Sequence, residues 1–338
     1  MLTISYVGFG NSVINYHLPY VKTRDYIRVK SIYRRMEDRM LPGEMDREQL
    51  YPGIVFTSEL DDLLNDEEVD LIVVSAPNRF HYDYAKTIIE HGKNGLIEKP
   101  LALSSAEARE LFALAREKNV ILMANQNRRY DCDFLALKGV IESGKCGDIV
   151  EVESHYDYYR PEIRNFVGYM MGLGVHTLDQ MISLFGIPER KSYDVRSVFY
   201  PHEADDYFDI DLYYDGFKAV VKTCYSVKIK YPKYILHGKK GSFILYDVAA
   251  HNSDKKGDRK EPYNADFTPV SEEKYGTLVY VDDNGTEHTE KVPVYYTDYA
   301  KLYDDLYSAI KEGKEKPVRD EETIEVLTII EEALKERR

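Results

Sequence analysis

The chain has 338 residues, with 59 acidic and 45 basic side chains and a formal net charge of −14 at pH 7. This length suggests about two domains, and the acidic surplus argues against a nucleic-acid partner, whose phosphates bind clustered Lys and Arg. The sequence contains no apolar stretch of about 18 residues, so no membrane span is predicted.

Strand and helix patterns alternate through the first 123 residues. An amphipathic stretch at Ala106–Lys118, which opens with a Ser-Ser-Ala-Glu capping pattern, predicts a helix. Apolar runs predict buried parallel strands at Ile4–Val7, Ile27–Ile32, Leu71–Val74, Gly95–Ile97 and Val120–Met123. This alternation is typical of an α/β domain with a doubly wound parallel sheet covered by helices on both faces, here residues 1–123.

A glycine-rich turn, Gly8-Phe9-Gly10-Asn11-Ser12-Val13, follows the first strand and opens a helix. Gly8 allows a tight turn, Gly10 lets the backbone approach a pyrophosphate, and the helix N-terminus offers N–H groups to that anion. We therefore predict that Gly8, Phe9, Gly10, Asn11 and Ser12 bind a dinucleotide. The alternative is an ordinary glycine turn, since Val13 replaces the third glycine of the usual motif.

The end of the second strand carries two arginines, Arg34 and Arg35. Enzymes selective for NAD place an acid in this region to bond the ribose 2′-hydroxyl. Two arginines would instead attract a 2′-phosphate, so we predict NADP(H), with NAD(H) as the alternative cofactor. In the other interpretation both arginines pair with Glu37 and Asp38 at the surface.

Two further motifs follow buried strands: Ser75-Ala76-Pro77-Asn78-Arg79-Phe80-His81 and Glu98-Lys99-Pro100. Ligands of doubly wound sheets bind at the carboxyl ends of the strands, so both motifs are expected beside the glycine turn. Lys99 is the candidate acid/base because a desolvated lysine can titrate near neutrality; a surface charge is the alternative. Further candidates for cofactor contacts are Ser75, Pro77, His81 and Glu98.

The pattern changes after residue 123 to longer strands with alternating character. A helix is predicted at Asp133–Ser143, and Asp215-Gly216 predicts a hairpin turn. The predicted strands are Ile149–Tyr159, Asp206–Tyr214, Phe217–Tyr225 and Tyr234–His237, and two closing helices are predicted at Tyr299–Glu312 and Glu321–Lys335. We expect residues 124–338 to form an α+β domain with a large, mostly antiparallel open sheet, and the polar stretch Asn252–Lys274 to be a long surface loop.

The cysteines and the N-terminal residues indicate the cellular compartment in which the protein is expected. Cys132, Cys146 and Cys224 are odd in number and widely spaced, which argues against a disulfide framework or a zinc site, and no metal is expected. The first residues have the pattern of a strand, not of a signal peptide. We therefore expect a cytoplasmic protein.

Together these motifs resemble the Gfo/Idh/MocA family, named for glucose–fructose oxidoreductase and inositol dehydrogenases, over nearly the whole chain. Asn125-Gln126-Asn127-Arg128-Arg129-Tyr130 and Tyr158-Tyr159-Arg160-Pro161 resemble its YhhX-like branch and the scyllo-inositol dehydrogenases that use NADP. Other segments that carry the resemblance are the glycine turn, Pro77 to His81, Glu98-Lys99-Pro100, Gly174-Val175-His176 through Asp179, and the region around Val318.

The resemblance implies a Rossmann dinucleotide-binding domain and assigns Lys99 and His176 to the reaction. It also implies a cis peptide bond between Lys99 and Pro100 and adds Asn127 to the cofactor contacts. Gly172 stands where the family has an Asp. Asp179 lies on the helical face of His176 and could orient the imidazole, with a helix cap and a structural pair as the alternative.

The expected activity is an NAD(P)-dependent dehydrogenase or reductase acting on the CH–OH group of a small polyhydroxylated substrate, a sugar, sugar derivative or inositol. Tyr156, Tyr158, Tyr159 and Arg160 are candidates for substrate contacts, with ordinary sheet packing as the alternative. Specificity is expected in the loops Arg160–Tyr169 and Pro201–Asp206.

Three alternatives stay open. One is a non-catalytic dinucleotide-binding regulatory protein, which Gly172 favours. The others are reduction of an imine or conjugated pigment, and oxidative glycoside cleavage. Because open sheets in this family often pair face to face, a homodimer or homotetramer is expected.

Overall fold

The structure is a computed structural model that describes residues 1–161, 168–201, 203–248, 262 and 264–337. These residues form two compact units. The first comprises residues 1–127, 262, 264–267 and 298–324, and the second comprises the described residues of 128–248, 268–297 and 325–337. The boundary predicted after residue 123 lies close to the one observed after residue 127, but the chain later returns to the first unit, which the sequence did not indicate.

The first unit is built on a six-stranded parallel sheet. Its strands, in spatial order, are Val55–Thr57 (β3), Ile27–Tyr33 (β2), Leu2–Val7 (β1), Leu71–Val74 (β4), Asn94–Ile97 (β5) and Leu122–Ala124 (β6). Every residue of β1 and β4 is buried, as expected for strands covered on both faces. The strand order reverses at β1, which pairs with β2 on one side and β4 on the other, so the predicted doubly wound sheet is confirmed.

Short helices connect these strands. They are Leu18–Val21 (α1), Met36–Arg39 (α2), Glu44–Gln49 (α3), Asp61–Leu64 (α4), His81–Glu90 (α5) and Ser105–Glu117 (α6). The helix predicted after the glycine turn is present, but its first part, Val13–His17, is wound as a π-helix. The Ser104 hydroxyl accepts a hydrogen bond from the Glu107 N–H at 3.2 Å, as the capping pattern predicts.

The second unit contains an eight-stranded sheet with helices Cys132–Ser143 (α7) and Val175–Phe185 (α8). The strands are Ile149–His155 (β7), Arg190–Arg196 (β8), Tyr207–Tyr214 (β9), Phe217–Cys224 (β10), Pro232–Gly238 (β11), Gly241–Tyr246 (β12), Gly276–Val281 (β13) and Glu287–Val292 (β14). Their spatial order is β14-β13-β12-β11-β7-β10-β9-β8, and all neighbours except β7 and β10 are antiparallel. The expected large, mostly antiparallel sheet is confirmed.

Along β9 and β10, buried apolar residues alternate with polar ones. One face of the sheet therefore packs against the core, and the other carries polar side chains. Phe208, Ile210 and Leu212 are fully buried in the core of the unit. On the other face, the Lys218 ammonium lies 3.2 Å from Glu151 and 3.1 Å from Asp211. The predicted hairpin turn at Asp215-Gly216 joins β9 to β10, with Gly216 at φ +80°.

The strand predicted over Ile149–Tyr159 ends earlier, at His155. Beyond it, Tyr159 makes an isolated bridge with Ser226. The closing helices are Ala300–Glu312 (α9) and Asp320–Lys335 (α10), within one or two residues of the prediction.

Tertiary contacts explain why the segment carrying α9 belongs to the first unit. The Tyr303 hydroxyl lies 3.1 Å from the Tyr6 hydroxyl of β1 and 2.5 Å from His17 Nδ1. Arg24 donates to Asp298 at 2.7 Å and to Asp304 at 2.9 Å. Tyr6, His17 and Arg24 lie more than 270 residues before their partners in the sequence, so no local pattern reveals this return of the chain.

No helix of the described part of the chain is long and apolar enough to cross a membrane. Across residues 1–161, 168–201, 203–248, 262 and 264–337, no group of three or more His, Cys, Asp or Glu could hold a metal ion. The three cysteines are free thiols. Part of the predicted loop Asn252–Lys274, and residues 162–167 and 202 of the two specificity loops, lie outside the described residues.

Candidate functional site

The glycine turn lies at the switch point of the parallel sheet. Gly8 has φ +99°, and a Cβ there would overlap the carbonyl oxygen of Ser75 at the end of β4. Glycine is therefore required for β1 and β4 to end so close together. A Cβ at Gly10 would meet no atom within 4 Å, so there is open space beside its backbone, and a ligand contact at this position stays a prediction.

A cavity of about 340 Å³ lies beside this turn, within the first unit. The ends of β1, β2 and β4 supply its walls. Seven of the predicted cofactor residues line it: Gly8, Phe9, Gly10, Arg34, Arg35, Ser75 and Pro77. The Phe9 ring itself is buried edge-to-face against Tyr51 and Phe56, so this residue offers the cavity mainly its backbone. Asn11 is exposed in the turn.

The two arginines at the end of β2 have different environments. Arg34 is 5% exposed, and its guanidinium donates to Glu48 at 2.7 Å and to Glu44 at 2.5 Å. The same two carboxylates also pair with Arg39 and Arg47, so Arg34 belongs to a largely buried cluster of three arginines and two glutamates, and its role as a phosphate ligand stays a prediction. Arg35 is 48% exposed and donates twice to Asp38, at 2.9 Å each, as in the surface-pair alternative. Arg35 is thus the arginine that is more accessible to a 2′-phosphate.

Glu98 joins several chain segments at the carboxyl edge of the sheet. Its Oε1 accepts hydrogen bonds from the Ser12 hydroxyl, from His17 Nε2 at 2.8 Å and from Asn125 Nδ2 at 3.1 Å. Its Oε2 accepts the backbone N–H of Lys99 at 3.2 Å. The chain segments that follow β1, β5 and β6 therefore meet at one carboxylate.

This environment keeps Glu98 ionised. Burial opposes its ionisation, but the hydrogen bonds from His17 and Ser12, together with electrostatic attraction to His17 and Lys99, outweigh that cost and lower the pKa of Glu98 to about 2. Direct cofactor contacts of Glu98 and Ser12 stay predictions. Glu98 holds the loops that form the edge, and the Ser12 hydroxyl is used by Glu98.

Lys99 follows Glu98 directly, and His81 is the first residue of α5. Lys99 is half-buried, and its peptide bond to Pro100 is cis, as the resemblance implied. The buried His81 ring lies between two backbone carbonyls, 2.7 Å from Pro100 O and 2.8 Å from Ala76 O. Its ring nitrogens thus connect the loops after β4 and β5, and a contact of His81 with the cofactor stays a prediction.

In the second unit, His176 and Asp179 are buried in α8, which follows a π-helix at Met170–Gly174. Both carboxylate oxygens of Asp179 accept hydrogen bonds from Arg129, each at 2.7 Å. The motif Asn125–Tyr130 contains Arg129, but nothing in it signals this pairing with a residue 50 positions away. Asn127 begins the short 3₁₀ helix Asn127–Tyr130, which ends one residue beyond Arg129.

The candidate substrate residues differ in how deeply they are buried. Tyr156 is buried, with its hydroxyl 3.5 Å from both Gln180 Oε1 and the Tyr234 hydroxyl, which favours the packing alternative for it. Tyr158 is half-buried, and the exposed Arg160 lies over its ring at 4.6 Å. Tyr159 is 45% exposed. Tyr158, Tyr159 and Arg160 thus stay candidates.

Comparisons with known proteins agree with this architecture. Residues 2–126 match the family model described as "Oxidoreductase family, NAD-binding Rossmann fold" (GFO_IDH_MocA), and residues 138–338 match "Oxidoreductase family, C-terminal alpha/beta domain". A crystal structure of an oxidoreductase from Bacillus cereus superposes with a TM-score of 0.91 at 40% identity, covering 99% of this chain and 96% of that one.

Two curated relatives extend over almost the full length. The chain is 44% identical to the uncharacterized oxidoreductase YhhX of Escherichia coli K12, covering 98% of this chain and 95% of the relative. It is 30% identical to the scyllo-inositol 2-dehydrogenase (NADP(+)) IolW of Bacillus subtilis 168, covering 100% of this chain and 95% of the relative.

Proposed function

The chain belongs to the Gfo/Idh/MocA oxidoreductase family, and on that premise we propose that it is an NADP-dependent dehydrogenase or reductase. Its substrate is a small polyhydroxylated compound: an inositol, a sugar or a sugar derivative. The observation that carries this proposal is the carboxyl edge of the parallel sheet, where Glu98 ties the Lys99 backbone to the glycine turn.

The residues at this edge fit a dinucleotide. Gly8 brings two strand ends together, Gly10 leaves open space, and a cavity of about 340 Å³ adjoins both. Arg35 supports NADP over NAD, because its exposed guanidinium can exchange Asp38 for a 2′-phosphate. The relative from Bacillus subtilis that is named as an NADP(+) enzyme supports the same preference.

Lys99 is the proposed acid/base. When bound, a nicotinamide cofactor supplies the hydride acceptor or donor. In oxidation the Lys99 amine accepts the proton of the substrate hydroxyl, and in reduction the Lys99 ammonium donates a proton to the carbonyl oxygen. His176 is proposed as the second group in this proton transfer on the basis of the family resemblance. The Asp179–Arg129 pair keeps α8, which carries His176, in place within its unit.

A substrate panel tests the proposal. Inositols, sugars and keto-sugars are offered with NADP⁺ and NADPH, and with NAD⁺ and NADH, and turnover is followed at the nicotinamide absorbance. We expect turnover of a polyol or its ketone with the phosphorylated cofactor. Tight NADPH binding without turnover of any compound would instead favour the regulatory alternative, for which Gly172 is the supporting observation.

We further propose that the chain forms a homodimer or homotetramer through the outer face of its antiparallel sheet. Ion pairs such as Lys218–Glu151 and Lys222–Asp209 cover this face with charges of both signs, which suits a self-complementary contact between two copies. Light scattering after size-exclusion chromatography measures the mass of the assembly, and a monomer would contradict this proposal.

A further inference from the structure

His17 lies under the carboxyl edge of the parallel sheet, and the glycine motif does not include it. It is the last residue of the π-helix Val13–His17 and is 1% exposed. Its two ring nitrogens contact different groups: Nε2 lies 2.8 Å from Glu98 Oε1, and Nδ1 lies 2.5 Å from the Tyr303 hydroxyl. The imidazole therefore connects α9 to the carboxylate that holds the Lys99 backbone.

The proton on His17 Nε2 is fixed by its partner. An ionised carboxylate only accepts hydrogen bonds, so Nε2 must carry the proton that is shared with Glu98. Nδ1 forms the second hydrogen bond of the ring, with the Tyr303 hydroxyl, which also lies 3.1 Å from the Tyr6 hydroxyl. Both ring nitrogens of this buried imidazole therefore have a partner.

The groups that face His17 come from every neighbouring element. Tyr6 belongs to β1 and packs edge-on against the imidazole at 5.6 Å. Tyr303 belongs to α9, and Glu98 and Asn125 follow β5 and β6, respectively. Because the imidazole is enclosed on all these sides, it has one orientation in which both nitrogens are satisfied.

We propose that His17 is a positioning residue for Lys99: its Nε2–H fixes the Glu98 carboxylate, which in turn fixes the Lys99 backbone. His17 has no contact with the reacting atoms in this proposal, and it acts only through Glu98. The consequence for turnover rests on the proposed function, whereas the ordering of the Lys99 segment does not.

A pair of substitutions separates the two nitrogens of His17. In His17→Gln the amide nitrogen takes the place of Nε2 and can still donate to Glu98, whereas in His17→Asn the amide takes the place of Nδ1. Each variant loses one buried hydrogen bond, so a purely structural role predicts equal losses from both. The same two changes at the exposed His91, whose Nδ1 contacts Thr87 O, serve as the control.

The first measurement is amide hydrogen exchange of the protein without ligands, by mass spectrometry on peptides covering residues 97–101. Losing a hydrogen bond to a charged group changes an equilibrium constant by about tenfold or more. The opening equilibrium of this segment should shift accordingly, so His17→Asn should speed its amide exchange by about that factor. His17→Gln and both His91 variants should match the wild type. Equal exchange in the two His17 variants would overturn the proposal.

The second measurement separates binding from turnover. With the best substrate of the panel, His17→Asn should lower kcat by about tenfold while the Kd for NADPH, measured by fluorescence titration, stays near the wild-type value. His17→Gln should keep most of kcat. A wild type without turnover would refute the proposed function alone, since hydrogen exchange still decides whether His17 orders the Lys99 segment.

Discussion

Polar side chains have different partners in two regions: they join converging loops at the carboxyl edge of the parallel sheet, and they form ion pairs on the outer face of the antiparallel sheet, the face that carries Lys218 and Lys222. At the edge, Glu98 accepts hydrogen bonds from segments that follow three different strands. On the outer face, Lys218 and Lys222 pair with carboxylates of neighbouring strands and stay about one-third exposed.

The difference follows from how each sheet is covered. A parallel sheet with helices on both faces has only its strand ends available for polar groups, and these groups become buried where loops converge. Desolvation then makes each missing partner costly. An open antiparallel face pairs its charges next to water, where each ion pair contributes little. Substitutions at the carboxyl edge should therefore change activity and stability much more than substitutions on the outer face of the antiparallel sheet.

The largest effect is expected for Lys99→Ala. Loss of a general acid/base should lower turnover by about 10² to 10⁴-fold, while the Kd for NADPH stays unchanged because the glycine turn is intact. Steady-state kinetics and fluorescence titration measure the two quantities. Lys86→Ala is the control, since Lys86 pairs with Glu110 at the surface of the same unit. Wild-type turnover in Lys99→Ala would remove Lys99 from the mechanism.

The next effect concerns the stability that Glu98 contributes. Because its pKa falls from 4.5 to about 2 on folding, its ionised form stabilises the native state by on the order of 3 kcal/mol. This contribution is complete above pH 4.5 and is lost as the pH falls towards 2.

Urea unfolding measures this contribution in the wild type and in Glu98→Gln. The free energy of unfolding of the wild type should fall more steeply with acidification than that of the variant. Glu117→Gln, at the exposed end of α6, should keep the wild-type slope. Identical pH dependence in the wild type and Glu98→Gln would show that the carboxylate is not selectively stabilised by folding.

A smaller effect is expected at Arg35. Losing charge-assisted hydrogen bonds to a 2′-phosphate should weaken NADPH binding by about tenfold or more in Arg35→Ala, with NADH binding unchanged. Arg35→Lys should recover only part of the affinity, because an ammonium cannot bind bidentately. Titration with both cofactors measures this selectivity. Tighter binding of NADH than of NADPH by the wild type would contradict the predicted preference.

The smallest effect is expected on the outer face. Lys218→Ala removes pairs with Glu151 and Asp211 and should change the free energy of unfolding by less than about 1 kcal/mol. Urea unfolding measures this change, and light scattering reports any change in assembly. This small change is expected for a single copy of the chain; a clearly larger loss that is accompanied by dissociation would support the proposed contact between two copies through this face, whereas a larger loss without dissociation would contradict the prediction.

Much of this protein could be predicted from its sequence. The buried strands β1 and β4, the glycine turn and the Asp215-Gly216 hairpin all depend on neighbours in the chain, and local patterns were sufficient for each. The three-residue β3 was missed, because so short a strand gives no periodicity that distinguishes it from a loop.

The sequence by itself determined where β1, β4 and β5 end, and thereby the glycine turn and the position of Lys99. Only the tertiary structure decided which of two adjacent arginines is buried in an ionic cluster and which is exposed. It also brought Tyr303 to His17 across 286 residues. The physical reason is that hydrophobic periodicity reports which face of an element is buried, whereas partners of buried polar groups depend on where the chain returns.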